Sequence, residues 1–192
     1  MLETALQQCQ SWLERKRKIQ TAVPEEFKPC KFEFAPGKTV FYCGKPFVLQ
    51  LRQTALSRRI IMLDELLITP SAQAGEIQVM LEAFYRRQLR QIVIALLEKY
   101  SQCFNITFGK VSINGARGRF GSCNSSGNMN FSWHLAMYPL ELIELVVLHE
   151  LAHRIEMNHS ARFYKTLAAF LPDYRQREQL LKLWNRKLAG YP

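Results

Sequence analysis

The stretch Leu148-His149-Glu150-Leu151-Ala152-His153-Arg154-Ile155-Glu156-Met157-Asn158-His159 decides how the rest of the chain is read. Its first half continues the run Leu142, Ile143, Leu145, Val146, Val147, Leu148, Leu151, Ala152, which is apolar almost all round and predicts a buried helix opened by Pro139. At about 3.6 residues per turn, His149 and His153 fall on one face, one turn apart, within reach of a single metal ion. Glu150 is rotated about 100° from His149, beside the open position of such a metal, where a general base for an activated water belongs. A carboxylate in so apolar a helix is costly to bury ionised unless a positive charge lies near, and a divalent cation supplies one. Three of the chain's four histidines fall between residues 149 and 159, which argues against ordinary core or surface roles for them.

His159 requires the helix to break. On an unbroken helix it would lie about 240° of net rotation past His153 and face away. The expected device is Asn158 in the left-handed conformation that commonly ends helices. His159 then folds back as a third nitrogen ligand and leaves the fourth position to water, as catalytic zinc requires. Otherwise His159 is a surface residue capping the next helix. Neutral imidazoles favour Zn2+ among the common divalent ions. Glu156, three residues past His153, is placed to orient that imidazole from outside the ligand set, or else is a surface carboxylate.

Length and composition bound the rest. With 192 residues, 48% hydrophobic and 22% charged, the chain can bury one sizeable core. The expected layout is an N-terminal helix (2–19) and proline-containing linker over 1–36, then one domain over 37–192. No apolar run approaches the roughly 20 residues of a membrane span, and Met1-Leu2-Glu3-Thr4 lacks a signal-peptide layout, so a cytoplasmic location without membrane partners is expected. Five cysteines without a Cys-x-x-Cys pair suggest reduced thiols rather than disulfides or a cysteine metal site. The net charge of +10 raises a nucleotide or nucleic-acid partner, although the basic residues are dispersed along the chain.

The pattern along the chain is α+β. Residues 39–43 and 47–51 read as strands around a Gly44-Lys45-Pro46 turn, and 59–63 with 65–69 as a second pair around Asp64, together a small antiparallel sheet. A long helix over 76–100 follows, with Ile77, Met80, Leu81, Phe84, Ile92, Leu96 and Leu97 facing the core. Strands are expected at 105–108 and 110–113, then a glycine-rich stretch over 115–123. A half-buried strand comes next, alternating Met129, Phe131 and Trp133 with polar neighbours. Cys123 reads as a small buried hydrophobe or a thiol near the metal. His134 is expected outside the ligand set.

Four segments carry a family resemblance: Arg119-Phe120-Gly121-Ser122-Cys123, Gly127-Asn128-Met129-Asn130-Phe131, Val146-Val147-Leu148-His149-Glu150-Leu151-Ala152-His153 and Asn158-His159-Ser160-Ala161-Arg162-Phe163-Tyr164. In order and content they resemble the YgjP-like metallopeptidases, relatives of the SprT-like and WLM proteases, over roughly residues 37–188. The resemblance implies a zincin-type fold, zinc held by His149, His153 and His159, and Glu150 as the catalytic glutamate. The family commonly carries Trp at the positions of Phe120 and Tyr164, so an aromatic is kept while the indole N–H is lost.

The function expected from these residues is a zinc-dependent hydrolase acting on a peptide or protein. Residues 128–133 would form the docking edge for an extended substrate, and Arg119, Arg162 and Tyr164 are candidates to contact substrate or steady an oxyanion. The basic charge keeps two alternatives open, a metal-dependent nucleotide phosphoanhydride hydrolase and a nucleic-acid-associated zinc protein. SprT-like relatives act on proteins attached to DNA, so peptidase and nucleic-acid roles can coexist.

Overall fold

The structure, a computed structural model, describes residues 24–52, 59–64 and 66–191; the helix expected over 2–19 lies outside them. The chain groups into two units, the larger being Phe32–Leu181. The described part of the smaller is residues 24–31 with 182–191. There a 3-10 turn at Glu25–Phe27 sets Phe27 edge-on to Trp184 at 6.2 Å, and the Cys30 N–H donates to the Lys187 carbonyl at 2.9 Å.

The first sheet of the larger unit comprises β1 (Thr39–Tyr42), β2 (Lys45–Leu51), β3 (Ile61–Leu63) and β4 (Leu66–Thr69), in the order β1-β2-β4-β3. Its two sequence-adjacent pairs are antiparallel as expected. The pair joining them, β2 with β4, is parallel, so the sheet is mixed. The β1–β2 turn falls on Cys43 and Gly44, with φ of 47° and 77°, not on Gly44-Lys45-Pro46. A two-residue hairpin whose twist matches its strands needs left-handed backbone at both loop positions, and glycine takes it without strain. Pro46 therefore enters β2 opposite Phe41. Strand-pair alternation turns its missing N–H away from β1 there, and no ladder bond is lost.

That turn also braces the later part of the chain. The Cys43 N–H donates to the Ala136 carbonyl at 2.8 Å and the Gly44 N–H to Met137 at 3.1 Å. A methyl group built on Gly44 would stand 2.7 Å from Pro139 Cγ. The hairpin thus rests on the residues that open the helix carrying His149.

Helix α1 (Ala74–Phe104) buries Ile77, Leu81, Tyr85, Leu89, Val93 and Leu97, every fourth residue. Each step of four overshoots a turn by about 40°, so the buried stripe winds about 200° round the helix. Its N-terminal half faces the first sheet, where the Tyr85 hydroxyl donates to the Phe41 carbonyl at 2.7 Å and Phe84 packs on Tyr42 at 5.4 Å. Its C-terminal half faces the later helices: the Tyr100 hydroxyl donates to Glu144, and Phe104 stacks on Phe170 at 4.1 Å. Met80, Ile92 and Leu96, expected in the core, are only half-buried because of this winding. Asn105, at φ 53° and ψ 47°, ends the helix. A loop follows over 105–110, where a strand at 105–108 was expected.

The second sheet holds β5 (Val111–Asn114), β6 (Gly121–Cys123) and β7 (Met129–Ser132), in the order β5-β7-β6. Strand β7 is central, parallel to β5 and antiparallel to β6. Arg86 and Arg90 of α1 donate to the carbonyls of Ile113 and Val111 at 2.8 and 2.9 Å, which caps the outer edge of β5. A buried 3-10 turn, Trp133–Met137, leads through Pro139 into α2 (Leu140–Ala152), followed by α3 (Ala161–Phe170) and α4 (Tyr174–Lys187). Glu144 of α2 forms a 2.7 Å ion pair with Arg177 of α4 through Oε2, while Oε1 takes the Tyr100 bond. Cys30, Cys43, Cys103 and Cys123 are free thiols. No helix among the described residues is long and apolar enough to cross a membrane.

Gly44→Ala is expected to destabilise the fold by at least about 1–2 kcal/mol, the cost of a left-handed alanine, with the Pro139 clash in addition. The urea midpoint should fall with an unchanged slope; an unmoved midpoint would show that the hairpin does not brace α2.

Candidate metal centre

Helix α2 is buried on nearly every side: Leu142, Ile143, Leu145, Val146, Val147, Leu148, Glu150, Leu151 and Ala152 are all withdrawn from solvent. It ends at Ala152. The N–H groups of Arg154 and Ile155 donate to Leu151 and Ala152 carbonyls three residues back, each at 3.0 Å. This tightened turn begins the reversal well before Asn158. Asn158 is not among the described non-glycine residues at positive φ, which are Cys43, Asp64 and Asn105, so the expected left-handed Asn158 is replaced by a 3-10-like exit. The reason is local: His153 Nδ1 lies 3.1 Å from the Glu156 carbonyl and ties the turn together.

That contact also sets the tautomer. A carbonyl only accepts, so Nδ1 carries the proton and Nε2 keeps its lone pair. Glu156 thus steadies His153 through its main chain, whereas its carboxylate lies 3.9 Å from Arg162 Nε. His149 Nε2 and His159 Nε2 approach to 2.9 Å. Each of the three histidines offers a nitrogen, and these nitrogens lie within 4.8 Å of one another.

One ring supports all three. Phe163, fully buried, has its centroid 4.9, 4.6 and 4.8 Å from those of His149, His153 and His159. Ser160 Oγ accepts from the Phe163 N–H at 3.3 Å and fixes the start of α3. Phe163 was not among the expected site residues; its one mark in the sequence is an aromatic three residues after a capping serine that directly follows His159.

Burial, followed by the neighbouring histidines, lowers the His149 pKa to about 4, and burial lowers that of His153. These two imidazoles are therefore neutral near pH 7, the form that binds metal. Glu150 is 5% exposed, and burial raises its pKa to about 7 against the opposing pull of Arg119. Three converging imidazole nitrogens beside one buried carboxylate fit a divalent ion of zinc's type. Gly121 is a second site residue that was not among those expected. A methyl group built there would stand 2.7 Å from Glu150 Cγ and 2.8 Å from Cδ, so β6 passes directly against the carboxylate. Only glycine permits that approach.

A cleft of about 270 Å³ opens beside His149 and Glu150, with Arg119 in its lining. Tyr164, 38% exposed, has its ring 6.3 Å from that of His159 and is stacked on Tyr174. Arg162 is exposed and near Glu156 rather than the histidines. His134 stands apart, stacked on Trp133 at 3.8 Å with Nδ1 2.9 Å from Ser132 Oγ. The Cys123 thiol has its pKa raised by burial and then by Glu150, with Sγ 3.5 Å from the Asn124 carbonyl.

The family model described as YgjP-like, metallopeptidase domain, matches residues 1–183. The chain belongs to the YgjP-like metallopeptidase family. The match takes in the first 36 residues, which the four motifs had left out, and it makes the chain a metallohydrolase. Two solved structures are similar to it. One is the metallopeptidase zymogen of Pyrococcus abyssi abylysin, 18% identical, TM-score 0.44, covering 50% of this chain and 98% of that one. The other is the metallopeptidase zymogen of Methanocaldococcus jannaschii jannalysin, 20% identical, TM-score 0.40, covering 49% and 93%. No curated protein matches the chain.

Phe163→Ala removes the ring on which the three imidazoles rest and should weaken metal binding by about 10–100-fold, the range for loss of a group that orients ligands. Competition against a chromophoric chelator measures this. An unchanged affinity would mean that the imidazoles hold their geometry without it.

Proposed function

We propose that this YgjP-like protein is a zinc-dependent peptidase that cuts extended peptide segments, with His149, His153 and His159 as zinc ligands and Glu150 as the proton carrier. The observation that carries the reading is the buried Glu150 carboxylate lying against the Gly121 backbone beside three converging imidazoles. Zinc bound there supplies Lewis acidity, polarising a carbonyl oxygen and bringing the pKa of a water near neutrality.

The chain's own residues do the rest. Glu150, pushed to about 7 by burial, sits where a carboxylate both takes and gives up a proton near neutral pH. It accepts a proton from the attacking water as the oxygen–carbon bond forms. It then hands that proton to the amine nitrogen as the carbon–nitrogen bond breaks. Arg119 in the cleft and Tyr164 beside His159 are assigned to steady the charge that develops on the carbonyl oxygen. Arg162, drawn toward Glu156, has the weaker claim to that role.

An extended substrate needs a strand edge, and β7 has none free, being paired on both sides. The edge adjoining the site belongs to β6. The Ser132 N–H donates to Phe120 and the Asn124 N–H to Asn128. Antiparallel alternation therefore turns the N–H and C=O of Gly121 and Cys123 away from β7. A peptide adding there lies about 4.8 Å from β6 and hence beside Glu150. The opposite edge, on β5, is capped by Arg86 and Arg90. The phosphoanhydride and nucleic-acid alternatives rest on the +10 charge and on the lack of a peptide specificity readable in the sequence; the cleft adds to them only Arg119, which Glu178 offsets.

Glu150→Gln keeps the size that fits against Gly121 but cannot carry the proton. It is expected to retain the metal and lose at least about 10²–10⁴-fold in peptide hydrolysis. Full turnover by this variant in a fluorogenic-peptide assay would sink the mechanism.

A further inference from the structure

We infer that the cleft beside Glu150 is a side-chain subsite that selects a large apolar residue of the substrate strand, an inference that rests on the peptidase reading above. Its volume, about 270 Å³, admits one bulky side chain. Phe120 precedes β6, Leu145 and Val146 come from α2, and Leu181 from α4; together they supply apolar walls. Leu145 and Val146 stand four and three residues before His149, so helical geometry puts them on its face of α2, one turn along. A peptide paired with β6 and reacting at Glu150 projects alternate side chains to the same side. The cleft lies where a side chain next to the scissile bond would fall.

Apart from Glu150, which belongs to the reaction centre, two charged residues, Glu178 and Arg119, line the cleft. They are of opposite sign, so neither a cationic nor an anionic side chain gains a net partner, and either would lose hydration against the apolar walls. The walls decide the preference. A leucine in place of alanine at this position is expected to raise kcat/KM by at least about tenfold, the discrimination that a well-formed apolar pocket supplies.

The test reads binding and cleavage separately. Methyl-labelled, zinc-loaded Glu150→Gln protein is titrated with N-acetyl-leucinamide, N-acetyl-alaninamide and N-acetyl-lysinamide. The leucine probe should shift the Leu145, Val146 and Leu181 methyl signals saturably and at lower concentration than the other two. Val146→Phe, which fills the cleft, should abolish that shift; Leu181→Phe, which narrows it from the other wall, serves if the first variant does not fold. Glu178→Gln should leave the preference unchanged. Preferred binding of the lysine probe, lost in Glu178→Gln, or no leucine shift at all, would overturn the assignment. Wild-type protein with a peptide mixture should then show large apolar residues enriched at one position beside the cut bond, and Val146→Phe should move that position to small residues. An enrichment unmoved by either filling variant would also overturn it. Saturable leucine binding without any Glu150-dependent cleavage would refute the peptidase reading and leave the cleft's preference standing.

Discussion

A straight helix cannot present residues 149, 153 and 159 to one point, because the third lies about 240° of net rotation beyond the second. The metal centre therefore depends on where α2 stops. The Leu151 and Ala152 carbonyls take N–H groups three residues on, and the Glu156 carbonyl takes the proton of His153 Nδ1. One short turn ends the helix, fixes the tautomer of one imidazole and sends the chain back so that His159 meets His149 at 2.9 Å. Had the helix run one turn further, two histidines would remain together and the third would face away.

The second constraint is a carboxylate held inside an apolar helix. Burial raises the Glu150 pKa to about 7 against the pull of Arg119, and the group lies beside the candidate cation site and against a strand that has no side chain at Gly121. The surrounding fold keeps α2 from relaxing around it. The Cys43–Gly44 turn bears on Ala136, Met137 and Pro139 at its start, and Tyr100 and Arg177 each hold one oxygen of the Glu144 carboxylate. Beneath the histidines, Phe163 fills the space that three imidazoles would otherwise leave unsupported.

Much of this is legible in the sequence. The HExxH spacing, the apolar run around it and Pro139 located the helix and its histidines, because helical period is written in every residue of such a segment. Less legible were features set by long-range packing. The slow winding of the α1 stripe exchanged Met80, Ile92 and Leu96 for Tyr85, Leu89 and Val93 in the core, since the helix changes neighbours along its length. The β2–β4 pairing proved parallel, and β7 proved central rather than an edge; strand order is not encoded in the alternation of any one strand. The parts played by Gly121 and Phe163 were hidden for the same reason. Each matters through a contact with a residue dozens of positions away, or across a turn whose path the local sequence did not specify.

The central claim is that three histidines hold one metal ion. Elemental analysis of the purified full-length protein beside His153→Ala tests it most directly. The account predicts about one zinc per chain in the wild type and little in the variant. A wild type that stays empty after zinc is supplied, or a variant that carries as much as the wild type, would contradict it.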